Sequence, residues 1–273
     1  LYEIARRVEA DLRLSMRFKE LSLDKLVDSD VFPGINEAIL LNLMTAMAQG
    51  SDRSEEAKRV CGMRKEMKWY GRVEPYFDCV AAMASMREFY NAHVLHFDFT
   101  HPEDVWDAYV GIWWQMDAFY RAFCMAFNRC LRTSNECLDE AVHELSDRAN
   151  NLYSNWFLKE SNARWVQAAQ TQWENASCVS GRPVQRLFYN DVVASELAGA
   201  KRVVVAVSDA LRYEVAHELK DVLESNTQGR AEIEAMQAVF PSETRFGMAA
   251  LLPHSKLHYD AASDEVLVDG MRT

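Results

Sequence analysis

Residues 203–207 read VVVAV, an uncharged run of β-branched and small apolar residues that passes directly into Ser208, Asp209 and a helical pattern. An unbroken apolar run of this length fits a strand covered on both faces, as in a parallel sheet; a strand with one wet face would alternate. Residues 210–225, ALRYEVAHELKDVLES, place Leu211, Val215, Leu219 and Val222 at helical spacing, and 231–240, AEIEAMQAVF, alternate as a second strand would. Together these segments read as a βαβ unit.

In an open parallel sheet, reactive groups collect beyond the carboxyl ends of the strands. Asp209 stands two residues past the first strand, and PSETRFGMAALLP comes after the second. The crossover rule sends both to one edge, so Asp209 and the residues around Thr244 should meet. A carboxylate at Asp209 serves either as a cation ligand or as the N-cap of the next helix, and spacing favours neither. Thr244 precedes RFGMAALL, which reads as the first turns of a helix bounded by Pro241 and Pro253. A hydroxyl there lies near free backbone N–H groups and the positive end of the helix dipole, where a phosphate can be held. A plain helix cap explains Thr244 equally well in isolation, and Ser242 competes for the same role.

Charge and cysteine usage narrow the classes. With 41 acidic against 30 basic residues the chain carries a net charge of -11, so it lacks the basic balance of a module built to grip phosphate backbones. Its six cysteines form no C-x-x-C pair and no zinc-finger spacing with His, which indicates a reducing, cytoplasmic compartment. Cys130 and Cys137, seven apart, read as neighbours on one helical face. The opening LYEIARRVEADLRL is amphipathic and lacks the apolar core of a signal peptide. The missing initial Met and the ending at VDGMRT suggest a piece of a longer protein.

Up to about residue 178 the pattern is helical nearly throughout, and ENASCVSGRPVQ (174–185) is the best linker, giving domains at 1–180 and 185–273. In THPEDVW, Thr100 and Glu103 have capping-box spacing and Pro102 sits in the first turn of a helix. That helix carries Trp106, Tyr109, Trp113, Met116, Tyr120, Phe123 and Phe127 on one stripe. It reads as a core seam rather than a platform for stacking bases, with Asp107, Asp117, Arg121 and Arg129 off the seam. Those charges also exclude a membrane span.

VSDALRYEVAHEL followed by FPSETRFGMAALLPH resembles the PglZ family, a branch of the alkaline phosphatase superfamily, over roughly residues 185–273. The resemblance implies an α/β fold, part of an alkaline-phosphatase-like parallel sheet, preceded here by a mainly α-helical region. It implies that Asp209 is a metal ligand and that Thr244, in a Pro-x-x-Thr pattern, is the nucleophile and a second ligand. The implied cofactor is a divalent metal, zinc first, with magnesium or manganese as alternatives. Arg212 and Arg245 are placed to hold a phosphate oxygen, or equally to be salt-bridged helix residues. The implied function is a phosphatase or phosphodiesterase component of a BREX phage-defence system, with other BREX proteins and a phosphoester substrate as partners. The alternative is a catalytically silent scaffold that binds those proteins. The superfamily completes its metal site with Asp and His residues further downstream. His254 and His258 do not match them, so this stretch alone is expected to be inactive, and His217 receives no role.

Overall fold

The computed structural model describes residues 2–97, 99–173, 179–199 and 202–272. Of the linker read at 174–185, residues 174–178, Cys178 among them, lie outside the described residues. In chain order the helices are α1 (Tyr2–Asp11), α2 (Leu14–Phe18), α3 (Gly34–Ala48), α4 (Ser54–Arg64), α5 (Glu74–His93), α6 (Pro102–Ala108), α7 (Trp114–Thr133), α8 (Asp139–Asn150), α9 (Lys159–Trp173), α10 (Ala194–Gly199), α11 (Tyr213–Asn226) and α12 (Thr244–Leu251). Strands β1 (Leu257–Asp260), β2 (Glu265–Val268) and β3 (Met271–Arg272) complete the order. No helix among the described residues is long and apolar enough to cross a membrane.

The chain divides into two compact units, 1–98 with 115–163, and 99–114 with 164–273. Helix α6 and the turn after it group with the C-terminal unit.

In the first unit α3 packs against α5 and α8, and α5 against α4. Helix α3 is apolar almost all round, and Ile39, Leu40, Leu43 and Met44 are completely buried. Its N-terminus is met by a carboxylate: buried Glu9 accepts hydrogen bonds from the Gly34 N–H at 3.1 and 3.2 Å and from the Ser15 hydroxyl at 2.6 Å. The negative charge faces the positive end of the α3 dipole. A Cβ at Gly34 would lie 2.1 Å from Glu9 Oε1, so only glycine permits this approach. At the far end of α4, fully buried Arg64 donates to Asn36 Oδ1 (2.7 Å) and to the carbonyls of Val27 (3.0 Å) and Ser29 (2.7 Å). One side chain thereby ties the 27–29 loop to α3.

The helix starts are partly as expected. Asp52 accepts from the Ser54 N–H and hydroxyl at the head of α4, a local cap. Pro102 opens α6, but the residue in the cap position is extended His101, whose side chain makes no cap hydrogen bond, rather than Thr100. The aromatic stripe is largely packing, with Trp113, Met116 and Phe123 buried. Asp117 corrects the reading of its charges: it is buried in α7 and accepts a 2.6 Å hydrogen bond from the Tyr153 hydroxyl. A π-helical stretch at Tyr109–Trp113 widens the turn and shifts the phase of α7 behind it, which a constant period cannot anticipate. Cys137 lies beyond the end of α7 and is exposed, while buried Cys130 instead meets buried Cys79, Sγ to Sγ 3.8 Å. The contact with Cys130 and burial together push the Cys79 thiol up, so it stays protonated and unreactive.

The second unit departs most from expectation. Neither 203–207 nor 231–240 forms a strand, and Val204, Val205 and Val207 are 78%, 46% and 47% exposed. An apolar run becomes a strand only when a neighbouring backbone takes its N–H and C=O groups, and side-chain pattern does not name that neighbour. The 231–240 segment makes one parallel bridge, Gln237 to Val184, through Gln237 N–H to Pro183 O (2.8 Å) and Gln185 N–H to Gln237 O (2.9 Å). Its partner is therefore 183–185 rather than 203–207. The Gln185 and Gln237 side chains reinforce the seam, Gln185 accepting from Val239 N–H (3.1 Å) and Gln237 donating to the carbonyls of Val179 (2.7 Å) and Arg182 (3.2 Å).

The sheet of this unit is an antiparallel meander, β1-β2-β3. Asp269 and Gly270 both have positive φ, 51° and 83°, the two-residue turn that suits the twist of a hairpin. Val266, Val268 and Ala249 form a small core, with Phe246 and Leu257 packed on it, so α12 lies on the hairpin.

Helix α11 docks on the 109–114 turn through aromatic contacts. The His217 ring stacks on Trp114 with centroids 3.9 Å apart and planes 5° apart, the Tyr213 ring meets it edge-on at 4.9 Å, and Tyr213 OH approaches Val110 O at 3.5 Å. Burial lowers the His217 pKa, with Asp221 raising it and Lys220 lowering it more weakly. The sign is direct. Stability from the neutral ring is present above the unfolded value of about 6.5, and is lost as pH falls towards and through the lower folded value. Acid titration combined with thermal unfolding is expected to show loss of stability below about pH 6.5 that His217→Phe diminishes.

Candidate functional site

The site is built from two turns of the second unit. After the irregular 202–208 segment the chain turns at Asp209 and Ala210, and Ala210 adopts a left-handed conformation with φ 55°. A non-glycine residue there costs about 1–2 kcal/mol, so this turn is strained beside the carboxylate. Arg212, in extended conformation, is the N-cap of α11. The second turn comes after Pro241, where Glu243 takes the cap position and Thr244 is the first residue of α12.

These turns meet. Thr244 Oγ1 lies 3.4 Å from each of the two Asp209 carboxylate oxygens, across 35 residues of sequence, and both residues are exposed. At that distance the hydroxyl donates only a long hydrogen bond. Ser242 lies two residues ahead of α12, and the hydroxyl that faces Asp209 is that of Thr244.

The two arginines are otherwise engaged. Arg212 Nε is 2.9 Å from Oε1 of Glu214, a carboxylate buried completely at the start of α11. Arg245 Nε contacts Glu243 at 3.1 Å, and its Nη1 reaches the Asp264 carboxylate at 2.9 Å and carbonyl at 3.1 Å. His254 Nδ1 contacts Leu252 O at 2.7 Å, and His258 lies on β1 opposite Leu267, so neither contributes to the Asp209–Thr244 pair.

The pair can be tested as part of a cation site. With metal–oxygen distances of about 2.0–2.2 Å, two ligands of a tetrahedral ion stand about 3.3–3.6 Å apart. The 3.4 Å separation fits two such positions. Among the described residues, however, no group of three His, Cys, Asp or Glu side chains is placed to hold an ion. The described residues therefore offer two oxygens at a spacing compatible with a cation and do not make up a site.

The segment that brings this acidic oxygen and alcohol together at a helix N-terminus is also the one that a family comparison matches. Residues 188–273 match the BREX system PglZ alkaline phosphatase-like domain. Across 98% of its length the chain is 30% identical to the alkaline phosphatase-like protein BrxZ of Escherichia coli O9:H4 (strain HS), covering 32% of that protein. It is 25% identical, again over 98% of its length, to the alkaline phosphatase-like protein PglZ of Bacillus cereus (strain H3081.97), covering 31% of it. The chain thus spans about a third of the length of the curated relatives it matches, and its helical first part is included in both matches. No solved structure matches the chain.

Proposed function

We propose that this chain is part of a phosphoric ester hydrolase of a BREX phage-defence system, with Thr244 as nucleophile and Asp209 as its acidic partner. The observation that carries the reading is the 3.4 Å approach of Thr244 Oγ1 to both Asp209 oxygens at the head of α12, within the PglZ-matched segment. Backbone N–H groups in the first turn of α12 and the helix dipole favour a phosphoryl group at this point. Thr244 Oγ1 attacks phosphorus, the ester oxygen departs with its electron pair, and water later releases the phosphate from threonine. Asp209 orients the hydroxyl by accepting its hydrogen bond and takes up its proton as Oγ1 bonds to phosphorus. A divalent cation, zinc first with magnesium or manganese as alternatives, is proposed as cofactor, with Asp209 and Thr244 among its ligands. Other BREX proteins are the proposed partners, and a cytoplasmic location is proposed with them.

The test is turnover of p-nitrophenyl phosphate and bis(p-nitrophenyl) phosphate by full-length protein containing this chain, with each of the three cations added. Turnover that vanishes on chelation and in Asp209→Asn supports the reading. Wild-type protein that turns over neither ester, yet co-purifies with other BREX proteins, favours a silent scaffold instead.

A further inference from the structure

Arg245, the neighbour of Thr244, belongs to a closed set of contacts that joins the first turn of α12 to the β1–β2 turn. Its guanidinium reaches both the carboxylate and the carbonyl of Asp264 (2.9 and 3.1 Å) and the Glu243 carboxylate (3.1 Å). It lies 4.9 Å from the Phe246 ring centroid and 5.8 Å from that of Tyr259. Tyr259 OH in turn donates to Asp264 Oδ1 at 2.6 Å, and the Phe246 and Tyr259 rings are 5.5 Å apart. Asp264 holds its place in the turn with φ 55°, a conformation that aspartate tolerates better than most residues.

Isolated exposed ion pairs contribute little to stability, so this set does not hold α12 on the hairpin. The Ala249, Val266 and Val268 core with Phe246 does that. What the planar, forked guanidinium adds is direction: two acceptors on one residue and a ring beneath fix the rotation of the turn that carries Thr244. A displacement of about 1 Å in a reacting group can cost about 100-fold in rate, so a contact that is weak in stability can be strong in catalysis.

We propose that Tyr259, Asp264 and Arg245 form a positioning clamp for Thr244, and that Arg245 acts through this clamp rather than as a ligand for substrate. The inference rests on the reading of Thr244 as nucleophile. In full-length protein containing this chain, Asp264→Ala is expected to lower kcat on p-nitrophenyl phosphate about tenfold with KM unchanged, and Asp264→Glu to restore part of it. Arg245→Lys, which keeps the charge but loses the fork, is expected to behave like Asp264→Ala. Amide hydrogen exchange supplies a readout independent of turnover: in Asp264→Ala it should quicken at 245–248 and stay unchanged at Val266 and Val268. Unchanged kcat in Asp264→Ala, a rise in KM alone in Arg245→Lys, or unchanged exchange at 245–248 would each overturn the clamp. Turnover that survives Thr244→Ala would sink the parent reading instead, and the exchange measurement would then judge the clamp by itself.

Discussion

Thr244→Ala is expected to remove phosphoester turnover by roughly 10⁴-fold or more, the scale on which deleting a nucleophile acts. The same variant should unfold at the wild-type temperature. Thr244 is exposed at the first position of α12, its hydroxyl makes only a 3.4 Å contact, and the cap position belongs to Glu243. Surface changes of this kind usually alter stability by less than about 0.5 kcal/mol. Thr244→Ser retains an alcohol oxygen and should keep a measurable part of the rate. The contrast between the two substitutions, read as kcat/KM on p-nitrophenyl phosphate beside a thermal melt, separates chemistry from folding. Full activity in Thr244→Ala would end the nucleophile assignment.

The largest expected effect on stability lies in the other unit. Arg64→Ala should cost about 3 kcal/mol, because it strands the buried Val27 carbonyl and Asn36 Oδ1 and frees the half-buried Ser29 carbonyl. Burial lowers the Arg64 pKa, an effect that the charge of Asp30 opposes, and the guanidinium remains the donor these acceptors need. By comparison, removing the exposed Lys58–Glu88 pair should change stability by less than about 1 kcal/mol. Urea unfolding of both variants checks the difference. A loss under about 1 kcal/mol for Arg64→Ala would mean that the 27–29 loop finds other donors.

What can be read from sequence divides along physical lines. Helices are legible because each carries its own hydrogen-bond partners, so periodicity in α7 and α11 suffices to show them. Strands need a partner elsewhere in the chain, and VVVAV shows the result: its apolar character is plain, yet no neighbouring strand is present among the described residues. The meander escapes the sequence reading although Asp269–Gly270 between apolar residues is a strong local hairpin signal. The β1–β2 turn that closes on Arg245 escapes with it, and so the sequence points Arg245 towards phosphate rather than towards Asp264. Asp117 looks solvated in sequence because its partner, Tyr153, is 36 residues away and no local pattern announces it.

The approach of Asp209 to Thr244 is expected from sequence by a different route from the one the structure takes. Crossover geometry aligns two strand ends, whereas the observed segments meet as turns without a sheet between them. The turn at Ala210, the seam of Gln185 and Gln237, and the seating of α12 on the hairpin supply that geometry.

Proximity of residues 209 and 244 is open to direct measurement without any assay of activity. In a Cys137→Ser background, Asp209→Cys combined with Thr244→Cys is treated with the short fluorogenic thiol cross-linker dibromobimane, and the peptides are identified by mass spectrometry. A fluorescent bridge joining the peptides that contain positions 209 and 244, absent from either single cysteine variant, is the expected result. Bridging no greater in the double variant than in the singles would contradict the site.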